Sequence, residues 1–191
     1  MFAPSNTAVN PFRIASTAQA LRTLYFVRAA FSLIWVGLLL AFVKSSPTIT
    51  AILLLVYPTW DVAATFFDIR ANRGPSSKLP QFTNIVIGLL TTVAVSVALK
   101  QGVPTVLVVF GAWAGLTGLI QLVLGLRRRR TFGGQWPMIL SGGQSIIAGA
   151  SFIAMAQAPT MGIVNLAGYA AFGAFYFLLA AFRLGKPSRA V

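Results

Sequence analysis

Residues 104–130 read PTVLVVFGAWAGLTGLIQLVLGLRRRR. From Pro104 to Leu126 there is no charge, and then four arginines follow one another. A helix rises ~1.5 Å per residue and needs ~20 apolar residues to cross a ~30 Å hydrocarbon core. This run is long enough. It is apolar on all faces, whereas a barrel strand would show ~10 residues of alternating polarity. It therefore predicts a transmembrane helix, and the arginines at its end predict a stop-transfer cluster in contact with anionic lipid headgroups.

Working outward, five more segments qualify: Thr23–Val43, Thr48–Ile69, Phe82–Leu99, Trp136–Ala156 and Thr160–Phe182. The expected fold is all-α, a polytopic membrane protein of six transmembrane helices. The composition agrees, with 57% hydrophobic and 9% charged residues, where a soluble chain averages about 25% charged. The first apolar run follows a polar arm and contains Arg28, so it does not read as a signal peptide.

Pro-Thr occurs at Pro47-Thr48, Pro104-Thr105 and Pro159-Thr160, so the period is 57 residues (47 to 104) and then 55 (104 to 159). A basic residue ends each unit, at Arg70, Arg127 and Arg183. The period predicts three copies of a helical hairpin, each opening its second helix with proline at a position where the missing N–H costs nothing. The expected division is an N-terminal arm (1–22), a six-helix domain (23–186; repeats about 23–73, 82–130 and 136–186) and a tail (187–191). Within the arm, Ile14–Leu21 is open to two readings, a short interfacial helix or disorder.

Charge sets the expected orientation. Arg13, Arg22, Arg70, Arg73, Lys78, Arg127, Arg128, Arg129, Arg130, Arg183, Lys186 and Arg189 lie on one side, and only Lys44 and Lys100 on the other. Cytoplasmic loops carry the excess Lys and Arg, so both termini are expected in the cytoplasm. The net charge of +13 is thereby read as topology and lipid contact, not as a nucleic-acid surface. The four arginines at 127–130 are read together as a cytoplasmic anchor.

Several functions are excluded by missing residues. There is no Cys and no His, and Asp61 and Asp68 are the only acids. Disulfides, thiolate chemistry and imidazole metal sites have nothing to build them, and a nucleophile–His–acid triad lacks its base. Gly133-Gly134 lacks the Lys-Ser/Thr partner of a phosphate loop. No catalytic residue, metal or cofactor is expected, and the chain reads as a non-enzyme.

Helices in lipid associate by close packing of small residues. Gly88 on helix three, Gly111, Gly115 and Gly118 on helix four, and Gly142 and Gly149 on helix five are the expected packing positions. The alternative for the GxxxG of helix four is a face for a homo-oligomer.

The stretch FGAWAGLTGLIQLVLGLRRRRTFGGQWPMILSGGQSIIAGASF, followed by GYAAFGAFYFLLAAFRLGK, resembles the HdeD-like family of bacterial acid-resistance membrane proteins, a family of short three-hairpin repeats. The shared features are Gly-Ala-Trp-Ala, a mid-helix Thr-Gly, a basic end, Gly-Gly-x-Trp entering the next helix, Leu-Ser-Gly, and a closing Ala-Phe-Arg-Leu. The likeness spans about residues 24–186 and is strongest over 104–186. In the first repeat Tyr57-Pro58-Thr59-Trp60-Asp61 replaces the glycine-rich opening. The resemblance implies a multi-pass protein of the bacterial inner (plasma) membrane, tied to acid or envelope stress. It carries over no catalytic residue.

Intramembrane charge is costly and marks function by default. Arg28 is ~8 Å inside helix one and Asp61 ~13 Å inside helix two, at ~1.5 Å per residue. Asp61 and Asp68 are seven apart and share a helix face. Arg28 is expected to pair with Asp61, Asp68 or both, either as a register-fixing ion pair or, at Asp61, as a proton-sensing group. Pro58 removes the hydrogen bond to the Leu54 carbonyl and predicts a kink. Asn84, Gln121, Gln144 and Asn165 are expected to bond between helices or to line a polar path. Trp136 and Tyr25 suit an interfacial aromatic belt, and Trp35, Trp60 and Trp113 sit deeper. Three functions fit: an acid- or envelope-stress protein, a small transporter or proton-linked channel using Asp61, and an accessory subunit of a larger membrane complex.

Overall fold

In a computed structural model, residues 11–71, 78–132 and 135–184 are described. They form α1 (Pro11–Phe42), α2 (Pro47–Ala71), α3 (Leu79–Ala98), α4 (Val103–Phe132), α5 (Trp136–Ala154) and α6 (Ile163–Leu184). Each of the six contains a segment long and apolar enough to cross a membrane. Arg73, Gly133-Gly134, Lys186 and Arg189 lie outside the described residues, as do the first ten residues of the expected arm and all of the expected tail.

Side chains sort as they do against lipid. Ile34, Leu90, Val93 and Ile147 are more than 60% exposed, while Asp68, Gln81, Asn84, Arg128 and Gln135 are buried. Water would favour the reverse, whereas hydrocarbon favours apolar atoms outside and polar groups satisfied within. The chain is a multi-pass membrane protein.

Each helix packs on the helix before and after it in sequence, and the first, α1, packs on the last, α6, closing a ring. Arg28–Asp61 and Trp35–Leu53 contacts set α1 antiparallel to α2, and Thr59–Thr92 and Asp61–Asn84 do the same for α2 and α3. One end of the bundle thus gathers the start of α1 and the ends of α2, α4 and α6. Arg22, Arg70, Lys78, Arg127–Arg130 and Arg183 sit there, and it is termed the basic end. Lys44 and Lys100 sit at the far end.

The glycines draw α4 and α5 together. A Cβ built on Gly149 would lie 2.5 Å from the Gly111 carbonyl oxygen, and one on Gly142 would lie 2.7 Å from the Leu122 nitrogen. A Cβ on Gly118 would meet the Gly142 oxygen at 2.9 Å. Backbone touches backbone, as the small-residue rule requires. Gly115 supplies backbone to this seam, since its nitrogen would be 2.7 Å from a Cβ on Gly149. Gly88 instead admits the Val62 side chain of α2. The glycine seam joins α4 to α5, across the Pro-Thr hairpins and not within one.

Toward the far end the ring is filled. Trp35, Leu39, Leu54, Val95, Leu107, Phe110 and Leu166 form one buried cluster. The Trp35 indole donates to the Leu53 carbonyl at 2.7 Å, and the Thr59 hydroxyl donates to the Leu55 carbonyl at 2.8 Å. Side chains therefore bond the carbonyls on either side of Leu54, the one Pro58 leaves without an N–H. α2 remains helical through a fully buried Pro58.

Three boundaries differ from expectation. α1 starts at Pro11, not Thr23. The 14–21 stretch neither lies apart as an interfacial helix nor stays irregular, because its alanines and leucine favour helix and Leu21 is fully buried. α4 continues through its arginines to Phe132, since arginine ends a membrane span but is a good helix former. Pro159 does not open α6, which begins at Ile163. The Gly162 N–H donates to Asn165 Oδ1 at 2.8 Å and the Met161 N–H to the Ala158 carbonyl, so the chain spends another turn before the helix. Asn165 accordingly bonds locally instead of between helices.

Candidate functional site: a polar chamber with two ion pairs

Below the apolar plug, toward the basic end, the ring encloses a cavity of about 130 Å³ lined by residues from all six helices. Its wall carries all three intramembrane charges singled out above, and a fourth, Arg128.

The deeper pair sits at mid-chamber. Arg28 Nη1 donates to Asp61 Oδ1 at 2.8 Å, and Nη2 donates to Thr65 Oγ1 at 3.2 Å. Asn84 Nδ2 donates to the other Asp61 oxygen at 2.8 Å and to Thr65 at 2.9 Å. From α6, the Phe177 ring faces the guanidinium at 5.4 Å, within the range of a cation–π contact. Four helices thus fix one ion pair. Both side chains keep 16% of their surface accessible, so chamber contents reach them.

The second pair is two helical turns nearer the basic end. Asp68 is not on Arg28. Both its oxygens are held by Arg128 Nη2, at 2.8 and 2.6 Å. Arg128 Nη1 lies 3.5 Å from the Tyr25 hydroxyl, and the Tyr25 ring packs on Phe177. This corrects the expectation for two residues. Arg127, Arg129 and Arg130 are exposed, but Arg128 is 8% exposed and faces inward. Successive helical residues turn by ~100°, so four in a row cannot share a face, and Gln121, Gly125 and Arg128 form the inward stripe. Tyr25 is likewise buried in the wall instead of standing in an interfacial belt. Trp136 does sit half-exposed at the basic end, with the Arg183 guanidinium 4.6 Å above its ring.

Aromatic rings roof the chamber. Trp60 stacks on Phe31 at 4.4 Å, and Tyr57 contacts Trp35 at 4.3 Å and the Trp113 edge at 5.7 Å. The Tyr57 hydroxyl is 3.3 Å from Ser32, and Tyr169 donates to Ser145 at 3.1 Å. Gln121 donates to the Met138 carbonyl at 3.2 Å, tying α4 to α5. Gln144 lines only a small groove between α5 and α6.

Two residues that sequence reasoning passed over belong here. Gln81 and Gln135 are 2% and 1% exposed and line the chamber. Their one sequence signal is a glutamine within two residues of a proline in the first helical turn, in Leu79-Pro80-Gln81 and Gln135-Trp136-Pro137. Such glutamines ordinarily read as caps. Neither helix start has a side-chain capping bond.

No protein-family model, no curated protein and no solved structure matches the chain.

Proposed function

We propose that this protein is a small, non-enzymatic, proton-linked transporter of the bacterial inner membrane, with both termini in the cytoplasm and its basic end against anionic headgroups. The observation that carries the reading is the Arg28–Asp61 pair on the wall of a polar chamber between the six helices. A charge placed there for packing alone would be sealed by its neighbours. This one keeps accessible surface inside a cavity large enough for several water molecules. A proton arriving on Asp61 would neutralise it, release Arg28 and loosen a junction of four helices. That gives a mechanical link between protonation and helix position. The aromatic roof and the apolar cluster beyond it close the route to the far end, so passage would require those rings to move.

A second reading is an acid- or envelope-stress protein of the HdeD-like type. The likeness over residues 104–186 supports it, and the same pair would serve as its acid-responsive element. A role as an accessory subunit draws support from Phe172, Phe175 and Phe182, which stand outward along α6.

A pH-jump proton-flux assay in proteoliposomes, comparing the intact protein with Asp61→Asn, separates the first two. The transport reading expects flux in the intact protein and its loss in the variant. Equal silence in both would remove the transport reading and leave the stress reading in its place.

A further inference from the structure

We infer that the chamber is a binding site for a small solute with no net charge and several oxygen acceptors, a zwitterion or polyol of about six non-hydrogen atoms. This rests on the transport reading above and names the class of molecule that the site would take.

The inference starts from groups with nothing to bond. Among the described residues, six buried side-chain polar atoms have no hydrogen-bond partner: Trp60 Nε1, Trp113 Nε1, Arg128 Nε, Gln81 Oε1, and both Nε2 and Oε1 of Gln135. Every one of these five side chains lines the same cavity. Buried polar atoms are ordinarily paired, because leaving them bare costs free energy. Six exceptions around one chamber point to what fills it.

Gln135 shows this most clearly. It occupies the N-cap of α5, yet its side chain makes no capping bond. It is 1% exposed with both ends of its amide unbound. Its backbone carbonyl accepts the first bonds of the helix, but its side-chain amide adds none there and belongs to a residue of the chamber wall.

The chemistry of the atoms sets the solute. Amide oxygen and nitrogen can exchange places in a glutamine, but indole N–H and guanidinium Nε–H donate and cannot accept. Two fixed donors lie at the aromatic roof and a third beside the lower ion pair, so the occupant must offer acceptors at both levels. The glutamines can meet either donors or acceptors. Net charge is excluded by balance. Arg28 is matched by Asp61 and Arg128 by Asp68, and an ion would enter with no opposite charge left to meet it. Size follows from the 130 Å³ volume, close to the roughly 150 Å³ engineered cavity that accommodates benzene.

The test is equilibrium dialysis of the purified full-length protein with radiolabelled glycine and, separately, glycerol, with unlabelled acetate and methylammonium as charged competitors of similar size. The expected result is saturable binding of at least one neutral probe at one site per chain. Charged competitors should not displace it, and Gln135→Leu should weaken it at least tenfold. Trp60→Phe, which removes one donor and keeps most of the ring volume, serves if Gln135→Leu does not fold. Absence of saturable binding by both neutral probes would overturn the inference, the chamber then holding water only. Displacement by acetate or methylammonium, or binding unchanged in the variants, would overturn it too. The outcomes are separable from the transport reading. Saturable binding without proton flux keeps this site and removes transport, while Asp61-dependent flux without saturable binding does the opposite.

Discussion

The two acids of α2 occupy different regions of the chamber wall and are held in different ways. Asp61 has two partners, Arg28 from α1 and Asn84 from α3, and both belong to helices next to α2 in sequence. Among the described residues Asp68 has one, Arg128, sixty residues away across the ring. The Asp61 pair keeps 16% of its surface accessible, and the Asp68 pair keeps 9%. Proximity to adjacent helices, several ligands and access suit a group that changes state. A single long-range partner and near-complete burial suit a clasp that holds α2 to α4.

The largest effect that separates them is expected at Asp68. Replacing it with Ala leaves Arg128 buried without its counter-charge, which costs about 3–5 kcal/mol when one partner of a buried pair is lost. Thermal unfolding in detergent should show this, and the double variant Asp68→Leu/Arg128→Leu should recover most of the loss. If Asp68→Ala unfolds like the parent protein, the lower pair is not a clasp. Asp61→Asn is expected to cost less, because Arg28 and its partner keep 16% of their surface accessible and water can solvate the released guanidinium, and its main effect should be on flux.

The frame around both pairs is expected to respond next. Gly149→Ala places a methyl against the α4 backbone, and such overpacking costs about 1–3 kcal/mol. Gly168→Ala meets nothing within 4 Å and should leave stability unchanged or raised by up to ~1 kcal/mol through helix propensity. Equal midpoints for the two variants would show that the α4–α5 seam does not set helix spacing.

The smallest effect sharpens the contrast within the arginine run. Arg129→Gln on the exposed face should change stability by less than about 0.5 kcal/mol, while Arg128→Gln strands Asp68 and should fall near the Asp68→Ala value. Indistinguishable unfolding for the two arginine variants would return Arg128 to the role of a surface anchor.

What was legible in the sequence follows from range. The six apolar runs needed only length and charge, and their helices lie where they were expected to within a few residues, apart from the start of α1 and the arginine-bearing end of α4. The Arg28–Asp61 pair joins adjacent antiparallel helices, so depth along two neighbouring helices was enough to suggest it. Asp68–Arg128 depends on how the ring closes, and no spacing within α2 or α4 encodes that. Arg128 was further hidden by its company, because three of the four arginines do face outward. Gln81 and Gln135 look like helix-start residues, and only the cavity behind them separates that role from a chamber wall. Asn165 and Pro159 show the reverse, a periodic motif overridden by one local hydrogen bond.

The central claim is that the six helices enclose a chamber that water reaches, and it has a direct test because the chain contains no cysteine. Thr117 lines the chamber and Leu116, its neighbour on α4, is half-exposed on the outer surface. In membrane vesicles, the small uncharged reagent hydroxyethyl methanethiosulfonate should modify Thr117→Cys at a measurable rate and leave Leu116→Cys unmodified, since only a thiol that meets water ionises to the reactive thiolate. A Thr117→Cys thiol as unreactive as the one at Leu116 would contradict the account.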